Sequence, residues 1–438
     1  MTGLKTPWAT AGLLFILLAQ PASATRLSVD DSNPNTRGWM QGFPPPPEKR
    51  LRAADGSFFE FPALRYSVAH MREFMPTVEV SRGLGAPVPL NYRLDPLIDK
   101  LRFLPWGSEQ PITFADALTR NYTDGLIILH RGDVVYERYF GALKEDGQHA
   151  VMSVTKSVTG LLAAVLVAEG RLDATRKVAD YVPELASSAF GDASVRQLMD
   201  MTTGLQYSEN YADPNAEVWQ FSTAGSPWPK PQGYSGPVGY LDYLAGVQKL
   251  GEHGQAFGYK TVNSDALGWV ISRVTDTSVA ELLSEKIWRR IGMEQSAYYQ
   301  VDELGIPFAG GGLNTGLRDM ARLGELVRNQ GRWQGEPLLP AAAIDDILRG
   351  GSQEAFARAG FDKLRGWSYR NMWWVTHNPN GAFAARGVHG QTIYIDPAAE
   401  MVLVRFASHP VAANGANDPL SLPAWQAVAD HLISLEKP

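Results

Sequence analysis

Between residues 124 and 141, DGLIILHRGDVVYERYFG sets two β-rich apolar runs on either side of Arg131-Gly132-Asp133. This pattern predicts a hairpin, and Gly-Asp is turn chemistry, so the RGD triplet reads as a turn and not as a recognition motif. Beyond it the apolar spacing becomes helical, predicting helices over 154–169, 194–201, 239–250, 262–275, 279–291 and 318–330. Strand patterns return in NMWWVTHN, GVHGQTIYIDP and EMVLVRFAS, and an amphipathic helix over about 423–436 ends the chain. Strands at both ends and helices between predict an α+β fold: one antiparallel sheet built from both chain ends, flanked by helices, with a mostly helical insertion. The expected division is an irregular arm over 25–95, an α/β domain over 96–160 and 316–438, and a helical domain over 161–315. A site is expected where the two parts meet.

Composition narrows the class. With 438 residues, 45% hydrophobic and 20% charged, the chain can bury a sizeable core. Its formal charge of −6 argues against a nucleic-acid surface, which draws on clustered Lys and Arg. Lys5, the apolar AGLLFILLAQ and the small residues Ala22 to Ala24 predict a signal peptide over residues 1–24, hence a periplasmic or secreted protein. The apolar segment is too short to span a bilayer, so no stable membrane anchor is expected after cleavage. Pro44 to Pro47 predict extended polyproline in the arm. The absence of cysteine removes disulfides, thiol nucleophiles and thiolate metal sites. The eight histidines show neither His-x-His nor His-Glu-x-x-His spacing, so no metal and no cofactor is predicted.

The candidate chemistry begins at Ser153-Val-Thr-Lys156. Serine at a helix start is a favoured cap, and capping accounts for it locally as well as catalysis does. The residues that follow, Gly160 to Val167, are all apolar or glycine, so the helix is buried. A lysine one turn along such a helix lies on the serine's face, where low dielectric lowers its pKa and lets it take the hydroxyl proton. The other copy, Ser434-Leu-Glu-Lys437, ends a surface helix and reads as chance. Tyr259 precedes the 262–275 helix and could point into a cleft, with Asn263 on the same face. Gly387 and Gly390 flank Val388 and His389, which suggests close backbone approach or a bulge. His389 reads as structural or pocket-lining, because no Gly-x-Ser-x-Gly elbow occurs.

MSVTKSVTGLL, LMDMTTGL, FGYKTVNSDALGWV, GGGLNTGLRDMARLGELV and GVHGQTIYIDP follow one another in an order that resembles the serine β-lactamase and penicillin-binding-protein superfamily. Within its class C branch the chain is most similar to the 6-aminohexanoate-dimer hydrolase type, and WMQGFPPPP and FPALRYSVAHMREFMPT extend the likeness into the arm. The resemblance implies Ser153 as acylated nucleophile, Lys156 as its proton acceptor and Tyr259 as general acid/base. It implies an oxyanion hole from the N–H groups of Ser153 and Val388. By similarity Tyr211, Asp213 and Trp219, in LQYSENYADPNAEVWQF, are candidate substrate contacts, although a solvated loop fits that stretch as well. Thr261 stands where many relatives have the Asn of Tyr-x-Asn. The literal triplets Tyr369-Arg370-Asn371 and Ser208-Glu209-Asn210 also occur, and the first reads as structural. The Lys-Thr-Gly triplet of β-lactamases is replaced by Ala385-Arg386-Gly387 or Val388-His389-Gly390, which removes a charge that would hold a substrate carboxylate.

Together these predict an exported serine hydrolase acting on a small linear amide or ester, with a homodimer as the default assembly. A D-alanyl-D-alanine carboxypeptidase or weak β-lactamase, and a binding protein on the same fold, are the alternatives. The first lacks Lys-Thr-Gly; the second would be expected to have lost Ser153, Lys156 or Tyr259.

Overall fold

The computed structural model describes residues 27–230 and 232–435. The predicted signal peptide and Lys437 of the second Ser-x-x-Lys therefore lie outside the described residues.

The larger sheet has seven antiparallel strands drawn from both ends of the sequence. Met401–Ala407 pairs on one side with Gln391–Asp396 and on the other with Thr123–His130, which places the last strand beside the first of the hairpin. Phe383–Gly387, Trp373–Val375 and Ser368–Arg370 extend one edge, and Asp133–Tyr139 forms the other. Five strands thus come from the C-terminal part where three were predicted. The turn pairs His130 with Asp133 across Arg131 and Gly132, whose φ values of 56° and 87° are the two left-handed positions a type I′ turn requires.

Both faces of this sheet are covered, so its central strands are buried at every position, as in MVLVRFA. Leu126, Ile128 and Leu403 pack against Trp425, Val428 and Leu432 of the C-terminal helix Asp418–Ser434. Ile127, Val402 and Val404 point the other way, into the main core with Leu161, Leu323 and Leu326 of the helices Val154–Ala168 and Leu317–Arg328. Val154 to Leu166 are all buried, as an apolar run without a polar face requires.

The predicted helices appear at Val154–Ala168, Val195–Met199, Tyr240–Ala245, Val262–Thr275, Val279–Leu283 with its π-turn Ser284–Trp288, and Leu317–Arg328. Glu217–Ala224, in the stretch read as a loop, is also helical, as are Phe114–Arg120 and Ala341–Arg349. A second, four-stranded sheet was not predicted. It joins Thr77–Val80, Ala297–Gln300, Leu313–Gly316 and Gln148–Ala150, strands of three or four residues, too short to show alternation. Its first strand comes from the arm, which ties that segment into the body. Among the described residues no helix is long and apolar enough to cross a membrane.

Candidate active site

Ser153 stands just ahead of the buried helix, after Met152 in the left-handed region at φ 48°. It occupies the cap position but its side chain makes no capping bond. Its Oγ accepts a hydrogen bond from Lys156 Nζ at 3.0 Å. The same ammonium nitrogen donates to the Gly310 carbonyl at 2.5 Å. Both acceptors are neutral, and burial drives the Lys156 pKa down, with the charges of Glu209 and Asp265 opposing. Asp265 is buried on the same side and its pKa is raised, chiefly by burial, against the charge of Lys156.

Tyr259 flanks the serine from another direction. It is half-buried, and its ring centroid lies 5.3 Å from Lys156 Nζ. Burial and then the charge of Glu209 push its pKa well above the ordinary tyrosine value, while a hydrogen bond with Ser153 and the charge of Arg386 act in the other direction. The lysine is thus pushed toward its free base and the tyrosine toward its protonated form. Opposite shifts of this kind are what a base and an acid acting as a pair require.

The strand Phe383–Gly387 closes the third side. A Cβ on Gly387 would lie 2.7 Å from the Val151 carbonyl oxygen and 3.0 Å from the Ser153 nitrogen, so only glycine lets the strand abut the serine. Val388 follows directly. His389 has a φ of 62°, and its Nδ1 pairs with the His409 carbonyl at 2.7 Å. Burial pushes its pKa down to about 4, which makes it a neutral ring that ties the turn to the neighbouring loop.

Two cavities meet at Ser153, Tyr211 and Val388. One, of about 190 Å³, is walled by Phe58, Phe59, Met71 and Met75 of the arm and by Trp219 and Phe221 opposite. The other, of about 650 Å³, is bordered by Glu209, Tyr259, Lys363, Trp374, Arg386 and Asp418.

The beta-lactamase family model matches residues 115–421. The chain belongs to the beta-lactamase family. A curated relative, the 6-aminohexanoate-dimer hydrolase of Paenarthrobacter ureafaciens, is 34% identical over 356 residues, 81% of this chain and 88% of that one. A Bacillus anthracis structure of the same assigned type superposes with a TM-score of 0.78 at 33% identity, covering 87% of this chain and 97% of that chain. A family VIII carboxylesterase structure, 18% identical with a TM-score of 0.54 over 78% of this chain and 100% of that chain, shares the fold. This beta-lactamase family member is a hydrolase, with the β-lactamase/transpeptidase-like fold and a likeness to the 6-aminohexanoate-dimer hydrolase type.

The structure brings Ser153, Lys156, Tyr259, Val388 and His389 of this hydrolase together around the cavities. Tyr211 and Trp219 join them, ring against ring at 5.9 Å. Asp213 and Asn263 line neither cavity. Asp213 is exposed; its carboxylate accepts the Asn215 N–H at 2.9 Å and its carbonyl accepts Trp219 Nε1, so it shapes the turn that carries the tryptophan. Asn263 is fully buried beneath the site, and its Oδ1 accepts the Thr203 hydroxyl at 2.7 Å. On a helix, Tyr259 and Asn263 would share a face, but the helix begins only at Val262, which leaves the two residues with different environments.

Glu209 is the residue sequence reasoning missed. Its carboxylate accepts the Thr261 N–H at 2.6 Å, the Thr261 hydroxyl at 2.7 Å and the Tyr211 hydroxyl at 2.5 Å. Its main partner is 52 positions away, a separation that leaves no periodic or motif signal. Tyr369-Arg370-Asn371 is structural: Arg370 bonds Asp200 and Asp346, each at 2.7 Å, and Asn371 Nδ2 donates to Asp346 at 2.8 Å.

Proposed function

We propose that this chain is an exported serine hydrolase that cleaves a small linear amide or carboxylic ester through an acyl-enzyme on Ser153. The Lys156–Ser153 contact of 3.0 Å, made by a buried amine with no charged partner in hydrogen-bond reach among those described, carries the reading. Lys156 removes the hydroxyl proton as Ser153 Oγ bonds to the substrate carbonyl carbon. The oxyanion is held by the Ser153 and Val388 N–H groups, each such donor contributing about 3 kcal/mol. Tyr259 gives its proton to the departing nitrogen or oxygen as the C–N or C–O bond breaks. Water then attacks the ester on Ser153, losing a proton to the same basic groups and releasing the acid. The relatives named for hydrolysis of 6-aminohexanoate dimers support a linear amide or ester as the substrate class. Export rests on the N-terminal sequence pattern.

A carboxypeptidase or β-lactamase reading is less well supported. Ala385-Arg386-Gly387 or Val388-His389-Gly390 stands in place of Lys-Thr-Gly, and Arg386, with Trp367 and Trp374 beside it, is already paired with Asp418. Intact-mass analysis after incubation with p-nitrophenyl acetate or a fluorophosphonate tests the proposal. An adduct on Ser153, absent in Ser153→Ala and much slower in Lys156→Ala, is expected; labelling of a different serine would overturn it.

A further inference from the structure

We infer that the two cavities divide the substrate between them: the smaller one receives an uncharged, apolar acyl group, and the wider one receives a polar leaving group. This deepens the acyl-enzyme reading above and rests on it. A leaving group must depart on the side of its proton donor. Tyr259 borders only the wider cavity, whereas the base Lys156 borders only the smaller. The acyl half, which stays bonded to Ser153, is therefore directed into the smaller cavity.

The walls of that cavity decide what it accepts. Phe58, Phe59, Met71, Met75, Phe221 and Phe308 supply apolar surface. Among the described residues bordering it there is no Asp or Glu, and the only basic side chains are Lys156 and His389. A cationic group entering this space would lose its water without meeting a carboxylate among the described residues that border it. Asp213, the acid the sequence suggested for this role, is exposed and spent on a turn. The wider cavity is different in kind, since Glu209, Asp362, Lys363, Arg386 and Asp418 all border it. An acyl half that ends in an ammonium, as in a 6-aminohexanoate dimer, is therefore a poor substrate for this chain.

The test compares two p-nitrophenyl esters of the same shape, 7,7-dimethyloctanoate and 6-(trimethylammonio)hexanoate, which differ only in charge at the far end. The neutral ester is expected to show a kcat/KM at least about tenfold higher, the scale on which a misfitting group is rejected by an apolar pocket. Ser222→Asp places a carboxylate in the smaller cavity and should narrow that ratio at least about tenfold through charge pairing; Ser226→Asp serves if the first variant does not fold. Fluorophosphonate labelling of Ser153 reports folding of each variant. Equal or faster turnover of the cationic ester, with Ser153 acylated by both, overturns the division while leaving the acyl-enzyme intact. Failure of every ester to acylate Ser153 removes both readings. If neither variant is labelled, the wild-type ratio alone decides.

Discussion

Gly387 and Glu209 set limits on the chemistry of Ser153 without being bonded to it. A methyl at Gly387 would meet the Val151 oxygen at 2.7 Å, so Gly387→Ala must push the end of the strand Phe383–Gly387 away from the serine. Because that strand carries the Val388 N–H, kcat should fall at least about a hundredfold, in line with losing one oxyanion donor; circular dichroism separates this from unfolding. The pH profile tests the lysine. Activity is lost as pH falls through the Lys156 pKa, and since burial lowers that pKa, the acid limb should lie below the ordinary lysine range. The charge of Glu209 raises the pKa of both Lys156 and Tyr259. Glu209→Gln should therefore shift the acid and alkaline limbs together to lower pH. A profile that keeps its limbs while losing amplitude would assign Glu209 a purely structural part.

At the scale of elements, the helix Val154–Ala168 is placed by how closely the sheet lies upon it. A Cβ on Gly160 would fall 2.1 Å from the Asn371 carbonyl oxygen, and Ser157 and Trp373 bond across the same junction at 2.9 Å. Gly160→Ala should destabilise by about 1–3 kcal/mol or more through overpacking, read as a lowered melting temperature. The longest helices, Val154–Ala168, Val262–Thr275 and Leu317–Arg328, were legible because each repeats its apolar spacing over about three turns or more. The helix Glu217–Ala224 was not, since it lies in a polar, aromatic-rich segment that reads as a loop. Strands of two to four residues carry little alternation, and of these only Trp373–Val375 announced itself, through its apolar run, beside the longer strands of the larger sheet.

On the scale of the whole molecule, the arm is part of the enzyme. Arg65, buried, donates to the Val29 carbonyl at 2.6 Å, Ser32 at 2.9 Å and Ser408 at 3.2 Å, and faces Asp124 at 3.8 Å. Arg65→Ala leaves Asp124 without that cation and should cost about 3–5 kcal/mol. The arm should then become sensitive to protease, and kcat/KM should fall because Phe58, Phe59, Met71 and Met75 wall the acyl cavity. Sequence alone determined the hairpin, the long helices, the α+β class and the pairing of Ser153 with Lys156, because each depends on spacings of a few residues along one element. Tertiary structure alone decided that Glu209 bonds Thr261, that Asp213 faces solvent, that Gly387 abuts Ser153 and that the arm lines a cavity. Apart from the exposure of Asp213, these join segments tens to hundreds of positions apart, and only tertiary packing brings them together.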